Sequence, residues 1–481
     1  MRRHHGVGTR GLSEAIPQSP SYEGRFGRMF RRLPTFRQSD EFLAPLADGM
    51  HDPGGPEGDN PTIPAGYTYF GQFLDHDLTF DPASSLQRAN DPDGLVNFRT
   101  PRFDLDSIYG RGPADEPFLY DQTADGKLLV GKGQDVETGQ DTGEDDLPRN
   151  RQGRALIGDP RNDENVIVSQ LQLAFIKLHN KFVDEVTAQG LTGEDLFKEA
   201  QRLTRWHYQW VVVHDFLHRT VPEDVFDSIW KTDATGAPSI ELRFYRAKQN
   251  PFMPVEFSVA AYRFGHSQVR PTYRINETVP ELPIFAPTEN PGPLEDFHGF
   301  RPLPAQWTID WTFFFDVGGP GSSKQPSRTI DTKLSEGLFK LPGEPPERES
   351  LALRNLKRGR ALSLPSGRRV ATAVQAAEPL TRDELGFSQP APLWYYVLKE
   401  AELRKDGQRL GEVGGRIVAE VLFGLLDGDP LSFVNVEPGW IPEIEDSDRD
   451  GRITMADLLR FAVPEQCGPL PQPPPGGWGA Q

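Results

Sequence analysis

The sequence predicts a mainly α fold, one large domain with long loops and little β structure. Three observations carry that expectation. Long segments repeat their apolar residues every three or four positions, as a helix with one buried face requires. Strand-type alternation is scarce throughout. The 47 glycines and 45 prolines among 481 residues demand many long connections between elements. Length alone would suggest about three domains, but the elements read as one unit.

Taken in order, residues 1–60 form an arm rich in Arg, Pro and Gly that is expected to wrap irregularly. The stretch "GYTYFGQFLDHDLTFD", 66–81, sets Asp-His-Asp inside an apolar and aromatic run. Read as a helix, it puts Gln72, Asp75 and His76 on one face and turns Asp77 away from it. The polar segment 131–150 reads as an exposed loop. Next, Leu171, Phe175, Leu178, Phe182 and Val186 mark a buried helical face that Gly190 ends. Thr192 and Asp195 resemble a capping box opening a second long helix, with Leu196, Ala200, Leu203, Trp210, Val213 and Leu217 inward. Further helices are expected within 392–407 and 414–428. The domain reading is therefore 1–60 arm, 61–440 main domain, 441–467 a loop and helix, and 468–481 a disordered Pro/Gly tail.

Composition narrows the partners. With 52 basic against 70 acidic residues the formal charge is −18, which disfavours nucleic acid and anionic membrane and suits cations. Cys467 stands alone, so no intrachain disulfide can form. No run reaches the length of a membrane span, and the N-terminal stretch lacks the apolar core of a signal peptide. A cytoplasmic protein, or one exported by a route without a cleaved signal, is the expectation.

Ten histidines are present, and few have a claim to chemistry. His214 and His218 stand four apart in "HDFLH", which suits either two imidazoles on one metal or a partly buried helix pair. In "GDPRNDEN", 158–165, Arg161 and Glu164 either enter one pocket near a helix start or cap it in solvent. His266 follows Gly265 in "AYRFGH"; glycine leaves room for a planar ligand, while a core histidine bonded to a carbonyl is the alternative. "LRNLKRGR" offers Asn355, able to hold an imidazole N–H, and Arg358, able to meet a carboxylate.

Together and in this order, "FGQFLDHD", "TPRFDLDSIYG", "GDPRNDEN", "AYRFGH" and "RNLKRGR" resemble the animal-type haem peroxidases, the myeloperoxidase and peroxidasin superfamily, in its bacterial, cysteine-poor form. The resemblance runs over about 60–440. It implies haem b, H2O2 as oxidant, a halide, thiocyanate or small organic molecule as electron donor, and a place in the response to oxidative stress. It implies His76 as distal base, Gln72 as the residue orienting distal water and Arg161 as distal cation. His266 would be the iron ligand with Asn355 behind it, and Arg263 and Arg358 would lie near haem propionates or the proximal side. Asp75 and Glu164 match the carboxylates that form ester bonds to haem. Asp77, Thr100, the carbonyl of Arg102, Asp104 and Asp106 match the family's calcium site.

Asn165 stands where myeloperoxidase carries a haem-bonded methionine, so that third link is not expected. The fatty-acid dioxygenases of the same superfamily use a tyrosine three residues before the proximal histidine. Here that position is Arg263, with Tyr262 one place earlier, which favours a peroxidase and keeps a dioxygenase as the alternative. "DSDRDGRITMAD", 446–457, has the spacing of an EF-hand or dockerin loop, with Asp446, Asp448, Asp450, the carbonyl of Arg452 and Asp457 as ligands of a second calcium. A non-catalytic calcium-binding scaffold is the further alternative that this loop raises.

Overall fold

The segments with helical apolar periodicity are helices in the structure. The computed structural model describes residues 24–469 except 53, 81–96, 98, 234–236, 247–250, 287, 289–290, 319–323, 342–349 and 448–450. Among the described residues nine helices have eight residues or more: α1 Asp40–Asp48, α2 Gly66–Leu78, α3 Val166–Ala188, α4 Gly193–Val211, α5 Leu351–Ala361, α6 Gly367–Val374, α7 Leu393–Lys405, α8 Glu412–Gly428 and α9 Met455–Ala462. Among the described residues, strand is confined to four two-stranded ribbons. None of these helices is long and apolar enough to cross a membrane.

The core is built on α2, α3 and α4. Phe70 and Phe73 of α2 lie against Phe175 of α3, the second pair stacked at 4.7 Å, and both meet Tyr208 of α4 edge-on. Such offset and edge-on pairs add to the area they bury. Gly66 opens α2 where the chain passes Phe315; a Cβ there would lie 2.4 Å from that ring and 2.6 Å from the Phe314 carbonyl. Only glycine admits so close an approach. Asn165 caps α3 by accepting from the Val168 N–H at 2.9 Å.

Several expectations change in detail. The arm carries a nine-residue helix, α1, whose first turn holds Asp40 and Glu41, where carboxylates favour the helix dipole. The acidic segment at 131–150 is a hairpin rather than an open loop, pairing Gly131–Gln134 with Asp141–Asp146. Thr192 precedes α4 but makes no side-chain cap bond; the Gly193 N–H donates instead to Asp125 at 3.0 Å. After Val211 the helix widens into a π-helical turn, Val212–Leu217, which puts His214 and His218 on a distorted rather than a regular spacing. The 441–467 segment joins the main core: Met455, Leu458 and Leu459 are buried, and Phe461 packs on Phe182 of α3 at 5.1 Å.

One buried carboxylate ties the arm to the main body. Glu256, fully buried, accepts the N–H groups of Met29 and Phe30 at 3.0 and 3.1 Å. Glu256→Ala strands both donors and is expected to cost about 3 kcal/mol of unfolding free energy, measured by urea denaturation.

Candidate functional site

One cavity of about 430 Å³ collects residues from four separate sequence motifs: Gln72, Asp75 and His76 from α2, Arg161, Glu164 and Asn165 before α3, Tyr262 to His266, and Arg354 on α5. That volume suits a cofactor-sized ligand. The remaining walls are largely apolar, including Phe264, Phe285, Leu338, Leu341 and Leu351.

The two histidines are held differently. His76 Nδ1 lies 2.7 Å from Asn162 Oδ1. Asn162 is oriented in turn, because its amide nitrogen donates to Gln172 Oε1 at 2.8 Å, and Gln172 donates to the Ser107 carbonyl at 3.1 Å. With an amide oxygen facing it, Nδ1 carries the proton and Nε2 keeps its lone pair. Burial, then the charge of Arg161, pushes the His76 pKa down to about 3, so the ring is a neutral base. Asn162 and Gln172 were not singled out in the sequence; a lone Asn two residues before Glu164 and a Gln inside a buried helical face gave no motif to find.

His266 ends a six-residue 3-10 turn, Ala261–His266. Its Nδ1 lies 2.8 Å from Asn355 Nδ2, while Asn355 Oδ1 accepts from Arg263 at 2.7 Å. In this arrangement the amide donates to Nδ1, and Nε2 carries the ring proton. A metal bound at Nε2 calls for the other tautomer, with the Asn355 oxygen facing Nδ1, and that requires Arg263 to move off the amide, because a turned Asn355 would set its NH2 group against the guanidinium. Burial, then Arg263 and Arg354, lowers the His266 pKa to about 3. This ring is neutral too.

Arg161 is anchored rather than extended. Its guanidinium donates to Asp159, to the His76 carbonyl at 3.0 Å and to the Thr79 carbonyl at 2.6 Å, and lies 4.7 Å above the Phe80 ring. Gln72 bridges Glu164 and Asn165, donating to the carboxyl and accepting from the Asn165 amide at 3.2 Å. Asn165 therefore both caps α3 and holds Gln72. Burial raises the Glu164 pKa to about 7 and also raises that of Asp75; Thr79 donates to Asp75 at 3.0 Å. Arg354, which the sequence reading passed over, lines the cavity with Arg263, whereas Arg358 lies one turn further along α5 and outside the lining.

Asp77 leaves this face, as helical geometry requires, and meets Asp104 and Asp106. Their carboxylates converge within 4.8 Å, all buried, the one such grouping among the described residues. Leu105 adopts the left-handed conformation, φ 57°, uncommon for a branched residue, and the turn sets Asp104 and Asp106 side by side. Thr100 donates to Asp104 at 2.6 Å. Burial, then the neighbouring carboxylates, raises the pKa of Asp77, and the same causes bring Asp104 to about 7. Arg99 links the cluster to the cavity: it donates to Asp106 at 2.9 Å and to Asp159, the carboxylate that also holds Arg161.

In the C-terminal loop, Asp448 and Asp450 lie outside the described residues. Gly451 has φ 83° and donates to Asp446 at 2.8 Å. Asp457 accepts from Ser447 and Thr454 and so caps α9.

Known proteins share this sequence pattern and architecture. The family model described as animal haem peroxidase matches residues 83–386, a span that begins after α2. Peroxidasin of Drosophila melanogaster is 22% identical over 381 residues, which is 71% of this chain and 23% of that protein. The chain thus spans about a quarter of that relative. Among solved structures, peroxidase A of Dictyostelium discoideum superimposes with a TM-score of 0.66 at 15% identity, covering 97% of this chain and 99% of that one. A fatty acid alpha-dioxygenase of Arabidopsis thaliana superimposes with a TM-score of 0.63 at 17% identity, covering 96% and 81%. These superpositions extend the shared fold across α2.

Asn162→Ala is expected to release the His76 tautomer and strand the Gln172 acceptor. The expected cost is about 1–3 kcal/mol in chemical denaturation, with ring 15N NMR changing from a single Nδ1–H form to a tautomer mixture.

Proposed function

Because this chain belongs to the animal haem peroxidase family, and is therefore expected to bind haem, we propose that it is a peroxidase that reduces H2O2 and oxidises a halide, thiocyanate or small organic donor. The observation that carries the proposal is the single cavity onto which two buried, neutral imidazoles open, His76 and His266.

The lining fits haem b. His266 offers an uncharged ring nitrogen to iron. Gly265 beside it has nothing within 4 Å of where a Cβ would stand, so the backbone leaves open space for a flat ligand. Apolar side chains suit a porphyrin face, and Arg263 and Arg354 supply cations for propionates. Asp75 and Glu164 are the residues that would hold its rim, by ester bonds to the methyl groups. When bound, haem supplies the redox iron at which the peroxide O–O bond is cleaved and which the donor then reduces.

The chain's own residues handle protons and charge. His76 Nε2 takes the proton from the nearer peroxide oxygen and delivers it to the departing one. A pKa near 3 keeps this nitrogen unprotonated throughout the neutral range. Arg161, fixed by Asp159 and two backbone carbonyls, stands ready to offset negative charge on the departing oxygen without reorganising. Gln72, tied at both ends, orients water beside His76.

The second part of the proposal is calcium at Asp77, Asp104, Asp106, Thr100 and the Arg102 carbonyl. Three buried carboxylates within 4.8 Å repel one another strongly unless protonated or offset by a cation. An oxygen-only set of this kind suits a hard ion.

The two structural likenesses leave a fatty-acid dioxygenase as the second reading. Tyr262 lines the cavity and donates to the Gly71 carbonyl at 3.2 Å, while the guanidinium of Arg263 is occupied by Asn355 and the Ser258 carbonyl.

Haem-supplemented expression is expected to give a Soret band that H2O2 shifts and a donor restores, with His266→Ala losing the band and His76→Ala keeping it but losing peroxide turnover by about 10²–10⁴-fold. Absence of the band in the parent protein refutes the reading; fatty-acid oxygenation abolished by Tyr262→Phe selects the dioxygenase. Chelation of calcium, or Asp104→Asn, is expected to lower the Tm and alter the Soret spectrum through Arg99 and Asp159, with calcium restoring the chelated parent only.

A further inference from the structure

Charge is unevenly distributed along this chain. Residues 24–39 hold five arginines, Arg25, Arg28, Arg31, Arg32 and Arg37, and no carboxylate. Residues 350–377 hold five more arginines and Lys357, again with no carboxylate. In a chain of formal charge −18, two such runs reverse the sign locally.

Folding lays the two runs side by side. The Phe36 N–H donates to the Leu364 carbonyl at 2.9 Å, Arg28 donates to the Leu362 and Ser363 carbonyls at 3.0 and 2.9 Å, and Arg369 donates to the Pro34 carbonyl at 3.2 Å. A third segment joins them: Phe244 packs on Phe30 at 5.8 Å, and Arg243 donates to Gln375, just past α6, at 3.0 Å. On the resulting face Arg31, Arg32, Arg37, Arg368 and Arg369 are exposed, with Arg243 and Arg246 at its edge. Arg25, Arg354 and Arg358 have partners of their own, and Arg360 pairs with Asp40 at 2.5 Å. The five exposed arginines of the two runs make no ion pair with any described residue. Glu41 and Asp48 of α1, and Glu241 beside Arg243, are exposed carboxylates at the rim, fewer than the arginines they adjoin.

Helix polarity adds a second indication. Arg368 and Arg369 stand in the first turn of α6, which holds no acidic residue, where the helix dipole disfavours cations. Dipole and side chains there add to one positive potential. Exposed charges so placed cost the fold stability, which points to a partner outside the chain. The shape of the face narrows the choice. Where the arm meets α5 and α6, the crevice lined by Gln38, Gly359, Arg360, Leu364 and Pro365 has a volume of about 10 Å³, room for one water at most. It forms no groove for a polymer strand. Among the described residues, none of the large apolar side chains that are exposed lies in these segments, so the face offers no ring for bases to stack on and no wedge for hydrocarbon.

We propose that this face docks electrostatically, without insertion, on an anionic phospholipid surface. Guanidiniums match phosphate oxygens through paired N–H groups, and each cation held near such a surface strengthens binding roughly fivefold. Net charge alone disfavours this partner, but its distribution reverses the expectation for one face. The acidic remainder of the chain repels an anionic ligand that wraps around it and admits one that meets a single side. Charges turned away by more than about 8 Å are screened at physiological salt. Because α5 also carries Asn355, whose amide meets His266, the docked face is the outer side of the wall that holds His266.

The test is co-sedimentation of the full chain with vesicles of mixed phosphatidylcholine and phosphatidylglycerol, against vesicles of phosphatidylcholine alone, in about 0.1 M NaCl. Binding to the anionic vesicles only, lost at about 0.5 M NaCl and weakened about tenfold or more when Arg32→Gln and Arg368→Gln are combined, is the expected result. Lys132→Gln combined with Lys231→Gln changes the net charge equally on other segments and is expected to leave binding unchanged. Absence of binding to anionic vesicles, equal binding to neutral ones, or equal weakening in the two double variants overturns the proposal. Tighter binding of duplex DNA than of the vesicles in the same buffer assigns a linear polyanion and overturns it as well. Circular dichroism and Tm confirm that the variants are folded. Neither Arg32 nor Arg368 lines the large cavity, and the vesicle assay needs no bound haem, so its outcome is independent of the peroxidase reading.

Discussion

A line of alternating buried charges organises this molecule. Arg99 and Asp159 are fully buried, and each is held between two opposite charges: Asp106 and Asp159 on Arg99, Arg99 and Arg161 on Asp159. Burial alone would raise the Asp159 pKa, but the two guanidiniums hold it below the usual carboxylate range. Asp106 and Asp159 in turn keep Arg99 protonated against the same burial. Removing any member leaves an uncompensated charge in the interior, which costs several kcal/mol. The line runs from the carboxylate cluster to the large cavity, so the charge state at one end bears on the position of Arg161 at the other.

Helix α2 stands beside that line and explains why its polar residues survive in an apolar run. Most of its residues are buried, including His76 and Asp77, and every buried polar group needs a partner. Each finds one in a different direction: His76 toward Asn162, Gln72 toward Glu164 and Asn165, Asp75 toward Thr79, Asp77 toward Leu105, Ser107 and Tyr208. One helix turn thereby serves both the large cavity and the acidic cluster. Apolar rings on the remaining faces fix its rotation, and a small change in that rotation would misalign all of these contacts together.

The two histidines of the cavity illustrate how the surroundings choose a tautomer. A chain of two amides ending on a backbone carbonyl sets the His76 proton, and nothing in that chain can reverse without losing a bond. Asn355 is instead shared between His266 and a guanidinium, so its amide orientation responds to where Arg263 points. The His76 ring is thus pre-set by neutral groups, while the partner of His266 is shared with a charge. Second contacts of this kind govern ligand basicity as much as the ligand itself.

The sequence by itself determined the helical class, the long helices α3, α4, α7 and α8, and the family, because apolar periodicity and motif order survive without coordinates. It also separated Asp77 from Gln72, Asp75 and His76, since a helix of known pitch sets directions from spacing alone. Tertiary structure decided the rest. Asn162, Gln172 and Arg354 have no local signature, and their contacts join segments far apart in the chain. The π-helical turn after Val211, the hairpin within 131–150 and the docking of α9 on α3 depend on packing that local pattern does not encode. The basic runs at 24–39 and 350–377 lie far apart in the chain, so the face they form exists only once folding has made their charges neighbours.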